Sequence, residues 1–195
     1  MPPATLGLVL PLSYNKTANP SSPCHFDPGY GKAKTSWKTM SKTERTELSK
    51  QQAEFFKVLR SADGQLPPGI RNLGIKPHLW LKEVSYGRVV YEWPNDGSRD
   101  IQEERVFGGW IAALADHIVS MTMASALEDG EWFTTTELTT RMFRPMQSGI
   151  IRIEGRLINR GRTTGFVEAD FFQENGKLAA RASAAKAIRA RSDLS

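Results

Sequence analysis

The sequence predicts an α+β fold organised on one long central helix, and three observations predict it. Residues 108–127 are apolar at nearly every position, the pattern of a helix buried on all sides. The run opens on Gly108-Gly109, where the backbone can turn tightly and approach a partner closely. Before and after it stand short runs rich in β-branched and aromatic residues, separated by turn signals.

Taken in order, residues 1–40 read as a partly disordered arm. Pro2, Pro3, Pro11, Pro20, Pro23 and Pro28 interrupt it, with Ser, Asn, Gly and Lys between. Residues 41–63 read as an N-terminal helical segment. Ser41-Lys42-Thr43-Glu44 has capping-box spacing, and Leu48, Phe55, Phe56 and Leu59 make a one-sided apolar stripe. Gly64 to Gly74 reads as a loop, since Pro67-Pro68-Gly69 stops a helix. Leu79 to Val84 and Arg88 to Trp93 read as strands paired about Tyr86-Gly87. Arg99 to Arg105 reads as a polar loop before the central helix, which ends near Leu127.

Trp132 to Arg144 then reads as a strand with five threonines, and Ile150 to Asn159 alternates like a half-buried strand. Thr163 to Gln173 is the next, and Asn175-Gly176 is a hairpin signal. Lys177 to Arg189 is a conflict. Its alanines favour helix by propensity, whereas the hairpin before it favours strand.

Composition narrows the function. The 195 residues suit one domain with an appendage, residues 70–190 forming the domain. The net charge of +5 is mild for a nucleic-acid binder and equally suits a phosphorylated small ligand. The lone Cys24 excludes an intrachain disulfide framework and points to a reducing, cytoplasmic setting. Leu6 to Leu12 is too short and broken for a signal peptide, and no run reaches membrane-spanning length. His25, His78 and His117 are too scattered for a metal site, and no cofactor is expected.

Asp116 is the residue with chemistry. A carboxylate within an apolar helix is costly unless it is paired, hydrogen-bonded or used. Gly108 and Gly109 offer unpaired N–H groups at the positive end of the helix dipole. An acid and an anion site together can attack a carbonyl.

The order strand, strand, central helix, four strands resembles the hotdog fold, a curved antiparallel sheet around one long helix. The motifs are most similar to the PaaI-like acyl-CoA thioesterases. Phe107-Gly108-Gly109 and Leu114-Ala115-Asp116 stand where that family has His-Gly-Gly and Leu-Ala-Asp. Thr135-Thr136-Glu137-Leu138 through Phe143-Arg144-Pro145, the Arg160-Gly161-Arg162-Thr163 turn and the Asn175-Gly176 hairpin follow in the family's order. The resemblance makes the alanine-rich segment a strand. It implies a homodimer or a tetramer and a water-driven thioester hydrolysis of acyl-CoA.

Asp116 would then be base or nucleophile, Gly108 and Gly109 oxyanion donors, and Thr135 a water-orienting group facing the acid across the dimer. Phe107 holds the family's histidine position, and Gln102 lies one place from its amide position. Both become substrate-binding candidates, as do Arg160 and Arg162 for coenzyme A phosphates. The loss of histidine at Phe107 favours an alternative, a hotdog protein that binds acyl thioesters without cleaving them. A hotdog dehydratase is a third reading, without the histidine–carboxylate pair that chemistry uses.

Overall fold

The computed structural model describes residues 47–61, 66–102 and 105–194. The predicted arm over 1–40 and the capping box at 41–44 lie outside these residues. The first helix, α1, spans Lys50–Arg60 and starts later than the spacing suggested. Ser49 caps it, its side chain accepting from the Gln52 N–H. Phe56 and Leu59 enter the core, while Phe55 and Val58 stay exposed.

Pro68, read as part of a helix stop, in fact begins a helical turn, and Pro77 begins another. α2 spans Pro68–Asn72 and α3 spans Pro77–Trp80, each with proline in the first turn. A first-turn residue has no intrahelical N–H bond to lose, so proline suits it. Leu79 and Trp80 therefore belong to a helical turn, and the first strand, β1, is Leu81–Ser85. β2 is Arg88–Asn95. The segment read as a polar loop contains a small hairpin, β3 (Asp100–Gln102) with β4 (Arg105–Val106).

The central helix α4 is Gly108–Ala124, ending a turn before Leu127. β5 (Glu131–Met142), β6 (Gly149–Arg160), β7 (Thr164–Phe172) and β8 (Leu178–Ala190) complete the structure. The alanine-rich segment is thus a strand, 13 residues long. Six strands make one antiparallel sheet in the order β1-β2-β6-β7-β8-β5. α4 packs on β2, β5, β6, β7 and β8. Five strands at about 4.8 Å spacing exceed a helix diameter of roughly 10–12 Å, so the sheet bends around the helix.

Close approach is achieved by removing side chains from the sheet. A Cβ on Gly155 would lie 2.0 Å from Thr122 Oγ1, and one on Gly165 would lie 2.5 Å from Met123 Sδ. Along β8, Ala180, Ala182, Ala184, Lys186 and Ile188 alternate as buried positions. Four of these are apolar; the fifth is a lysine. No helix among the described residues is long and apolar enough to cross a membrane.

Candidate active site

The helix is not buried all round. Gly109, Ala112, Ala113, Asp116 and Ser120 retain exposure, and their spacing of three to four places puts them on one stripe. The sheet covers one side of α4 and leaves this stripe facing out. Asp116 therefore sits with half of its side-chain surface accessible, rather than enclosed.

Three side chains converge on it from the same chain. Thr135 Oγ1 donates to Asp116 Oδ1 at 3.2 Å. Lys186 Nζ donates to Thr135 Oγ1 at 2.7 Å and to Ser120 Oγ at 3.0 Å, and stands 3.6 Å from Asp116 Oδ1. Thr135 and Lys186 are direct cross-strand partners on β5 and β8. A register shift between Thr135 and Glu137 follows immediately, a bulge that re-aims the strand at this point. Ser120 follows Asp116 by four places, on the same helix face.

The Lys186 side chain is 0% exposed. Burial pulls its ammonium below the ordinary lysine range, and the Asp116 carboxylate opposes that pull. The Phe133 ring closes the other side, 5.4 Å from Nζ.

One sequence expectation reads differently within this chain, and one residue of the cluster was missed. Thr135, expected to reach an acid across a dimer, bonds to the acid of its own chain. Lys186 was not singled out, although a signal existed. Read with period two, the alanine segment places one lysine on the core-facing register; read as a helix, it does not.

The helix start is a separate region. Trp110 and Ile111 donate to the Phe107 carbonyl, whereas the Gly108 and Gly109 N–H groups precede the first intrahelical acceptor. A cavity of about 390 Å³ opens there, lined by Arg99, Ile101, Phe107, Gly109, Trp110 and Ala113. Phe107 is exposed beside Gly109. Arg99 lies 4.4 Å over the Trp110 ring and brings a cation that the sequence reading passed over. Gly109 and Asp116 are seven places apart on one helix, about 10.5 Å along its axis. One carbonyl cannot meet both within hydrogen-bond reach.

A larger cavity, about 650 Å³, lies toward the other end of α4. Phe55, Val58, Met121, Leu127, Trp132 and Phe133 supply its apolar lining. Phe133 is common to this groove and to the Lys186 surroundings, so the two regions adjoin.

The other candidates stand apart. Arg160 is mostly buried and ion-paired with Glu131, so it is not a free cation for a phosphate. Arg162 is exposed in the β6–β7 turn, and Gln102 is exposed on β3; neither lines either cavity. His117 is buried against Tyr91, with Nε2 3.1 Å from the hydroxyl. Burial pushes its pKa down to about 4 despite the neighbouring Asp116 charge, so it is neutral near pH 7. It faces protein.

Comparison with known proteins agrees with this architecture. The family model described as Thioesterase superfamily matches residues 104–180, from the approach to α4 into the start of β8. A protein of Saccharolobus solfataricus named "Putative esterase SSO2140" is 32% identical over 96 residues, 49% of this chain and 68% of its own. The crystal structure of a phenylacetic acid degradation-related protein from Ralstonia eutropha JMP134 is similar at 27% identity and TM-score 0.58, covering 68% of this chain and 98% of that one. The fold also matches smu.793 from Streptococcus mutans, solved bound to acetyl CoA, at TM-score 0.51 and 21% identity, over 56% of this chain and 87% of that one. A six-stranded antiparallel sheet around one helix, together with these matches, makes the chain a hotdog-fold member of the thioesterase superfamily.

Proposed function

We propose that the protein is a PaaI-like acyl-CoA thioesterase that works as a homodimer. The observation that carries the reading is Asp116, a half-exposed carboxylate held at one oxygen by Thr135 in a chain of this superfamily. Water held by Asp116 attacks the thioester carbonyl and gives its proton to the carboxylate. Backbone N–H groups at Gly108 and Gly109 of the second chain take the developing oxyanion. The tetrahedral intermediate collapses, the C–S bond breaks, and the Asp116 carboxyl returns its proton to the leaving sulfur, so that coenzyme A departs as the thiol and the carboxylate is restored.

The division between chains follows from the helix rise, since the acid and the donors of one chain are too far apart. Two antiparallel helices about a two-fold axis would bring each acid to the other chain's donors. The acyl portion lies in the groove beside Phe133. Acetyl CoA bound to the Streptococcus mutans neighbour supports acyl-CoA as the substrate class.

Thiol release over a panel of acyl-CoAs tests the proposal. Asp116→Asn should lower kcat by about 10²–10⁴-fold with an unchanged circular dichroism spectrum. Rates within threefold of wild type would remove Asp116 from the mechanism. Tight acyl-CoA binding without thiol release would select the non-catalytic binding protein, the reading that Phe107 in the histidine position favours.

A further inference from the structure

We infer that Lys186 is a positioning residue that fixes the direction of the Thr135 hydroxyl and thereby decides which oxygen of Asp116 faces the reaction. The inference rests on the thioesterase reading of Asp116, but its geometry is independent of that reading. Lys186 lies beyond the stretch that matches the family model, which ends at residue 180.

An ammonium has three protons and no acceptor lone pair. The Lys186 ammonium is surrounded by three oxygens: Thr135 Oγ1, Ser120 Oγ and, further off, Asp116 Oδ1. Thr135 Oγ1 must therefore accept from Lys186. A hydroxyl has one proton, and with the acceptor role assigned that proton is directed to Asp116 Oδ1. The proton cannot turn back toward the ammonium while that is in place, and the second lone pair of the hydroxyl can accept without releasing Asp116 Oδ1.

The consequence falls on the carboxylate. Oδ1 carries the Thr135 bond and is the oxygen nearest Lys186, while among the described residues no hydrogen bond reaches Oδ2. With half of the Asp116 side chain accessible, Oδ2 is the oxygen that holds and deprotonates the attacking water. The lysine itself is enclosed, so it acts through Thr135 and Asp116 and touches no substrate.

The test is a double-mutant cycle with an independent spectroscopic arm. Lys186→Met and Thr135→Val should each lower kcat by about 10- to 100-fold, the scale of one charge-assisted hydrogen bond, with KM within threefold. The double variant should be no slower than the poorer single variant, because both break one chain of bonds. Loss in the double equal to the product of the single losses would overturn the inference. Lys186→Met should also keep or raise the melting temperature, since a buried charge is replaced by an apolar chain of similar length. A lower melting temperature with unchanged kcat would make Lys186 merely structural.

Lysine ammonium NMR supplies the arm that needs no turnover. A slowly exchanging Lys186 signal, absent in Lys186→Met, should shift in Thr135→Val. A signal unmoved by Thr135→Val overturns the inference. If the wild-type protein releases no thiol from any acyl-CoA yet this signal shifts, the thioesterase reading fails and the hydroxyl's direction stands.

Discussion

At the scale of single residues, Gly155 shows how the helix and sheet come within reach of each other. A methyl group there would meet Thr122 Oγ1 at 2.0 Å, Val89 Cγ2 at 2.8 Å and Ile118 Cγ2 at 3.2 Å. Thr122 cannot easily give way, because its hydroxyl is bonded to the Ile118 carbonyl and its own carbonyl accepts from Ser125. Gly155→Ala should destabilise the fold by about 1–3 kcal/mol, the usual scale of overpacking, measured by denaturant unfolding. Thr122→Ala in the same chain should recover part of the loss. An unchanged or improved stability for Gly155→Ala would mean that α4 can shift outward without cost. Residue chemistry was only partly legible in the sequence. Asp116 stands out as the only acid in a 17-residue apolar helix. Lys186 does not, because its meaning depends on whether its neighbours form a helix or a strand.

At the scale of elements, the sequence was most informative where hydrophobic period and turn residues agree. β6 and β7 follow that rule, and the Asn175-Gly176 turn joins β7 to β8 as expected. It was least informative where one residue type has two uses. Pro68 was read as an interruption, yet it begins a helical turn. Alanines that favour a helix in isolation serve in β8 to let α4 lie close, so packing overrides propensity. The role of α1 was not legible either, because a groove is made by two elements and seen only when both are placed. Val58 tests that groove, being an exposed α1 residue that lines it. Val58→Trp should lower the ratio of kcat/KM for dodecanoyl-CoA over acetyl-CoA by about tenfold or more, equivalent to excluding roughly two methylenes. An unchanged chain-length series would place the acyl chain elsewhere.

At the scale of the whole molecule, β5 is the feature on which the proposed dimer rests. Among the described residues it is an edge strand of 12 residues, and long unpaired edges are an association hazard. It also carries Thr135, so pairing along it would set the second chain beside Asp116. Subunit mixing tests the arrangement. Gly108→Pro removes one N–H at the first helical position, which proline tolerates, and Phe107 before it already has extended backbone angles of −57° and 123°. Gly108→Pro and Asp116→Asn should each be inactive alone. Refolded together in equal amounts, half of the dimers are mixed and each has one intact site, so about a quarter of wild-type activity should return. No recovery after exchange is verified by mass would put acid and donors in one chain's site, and a monomer by light scattering would refute the dimer.

The seven-place interval between Gly109 and Asp116 also has a genetic consequence. If each site borrows its acid from one chain and its donors from the other, a defective allele spoils one site of a mixed dimer and leaves the other whole. Neither lesion is then dominant: with equal expression of a normal and an Asp116→Asn allele, about half of the sites remain, in proportion to gene dose. Two different loss-of-function alleles, one in each half of the site, would complement each other, whereas two in the same half would not.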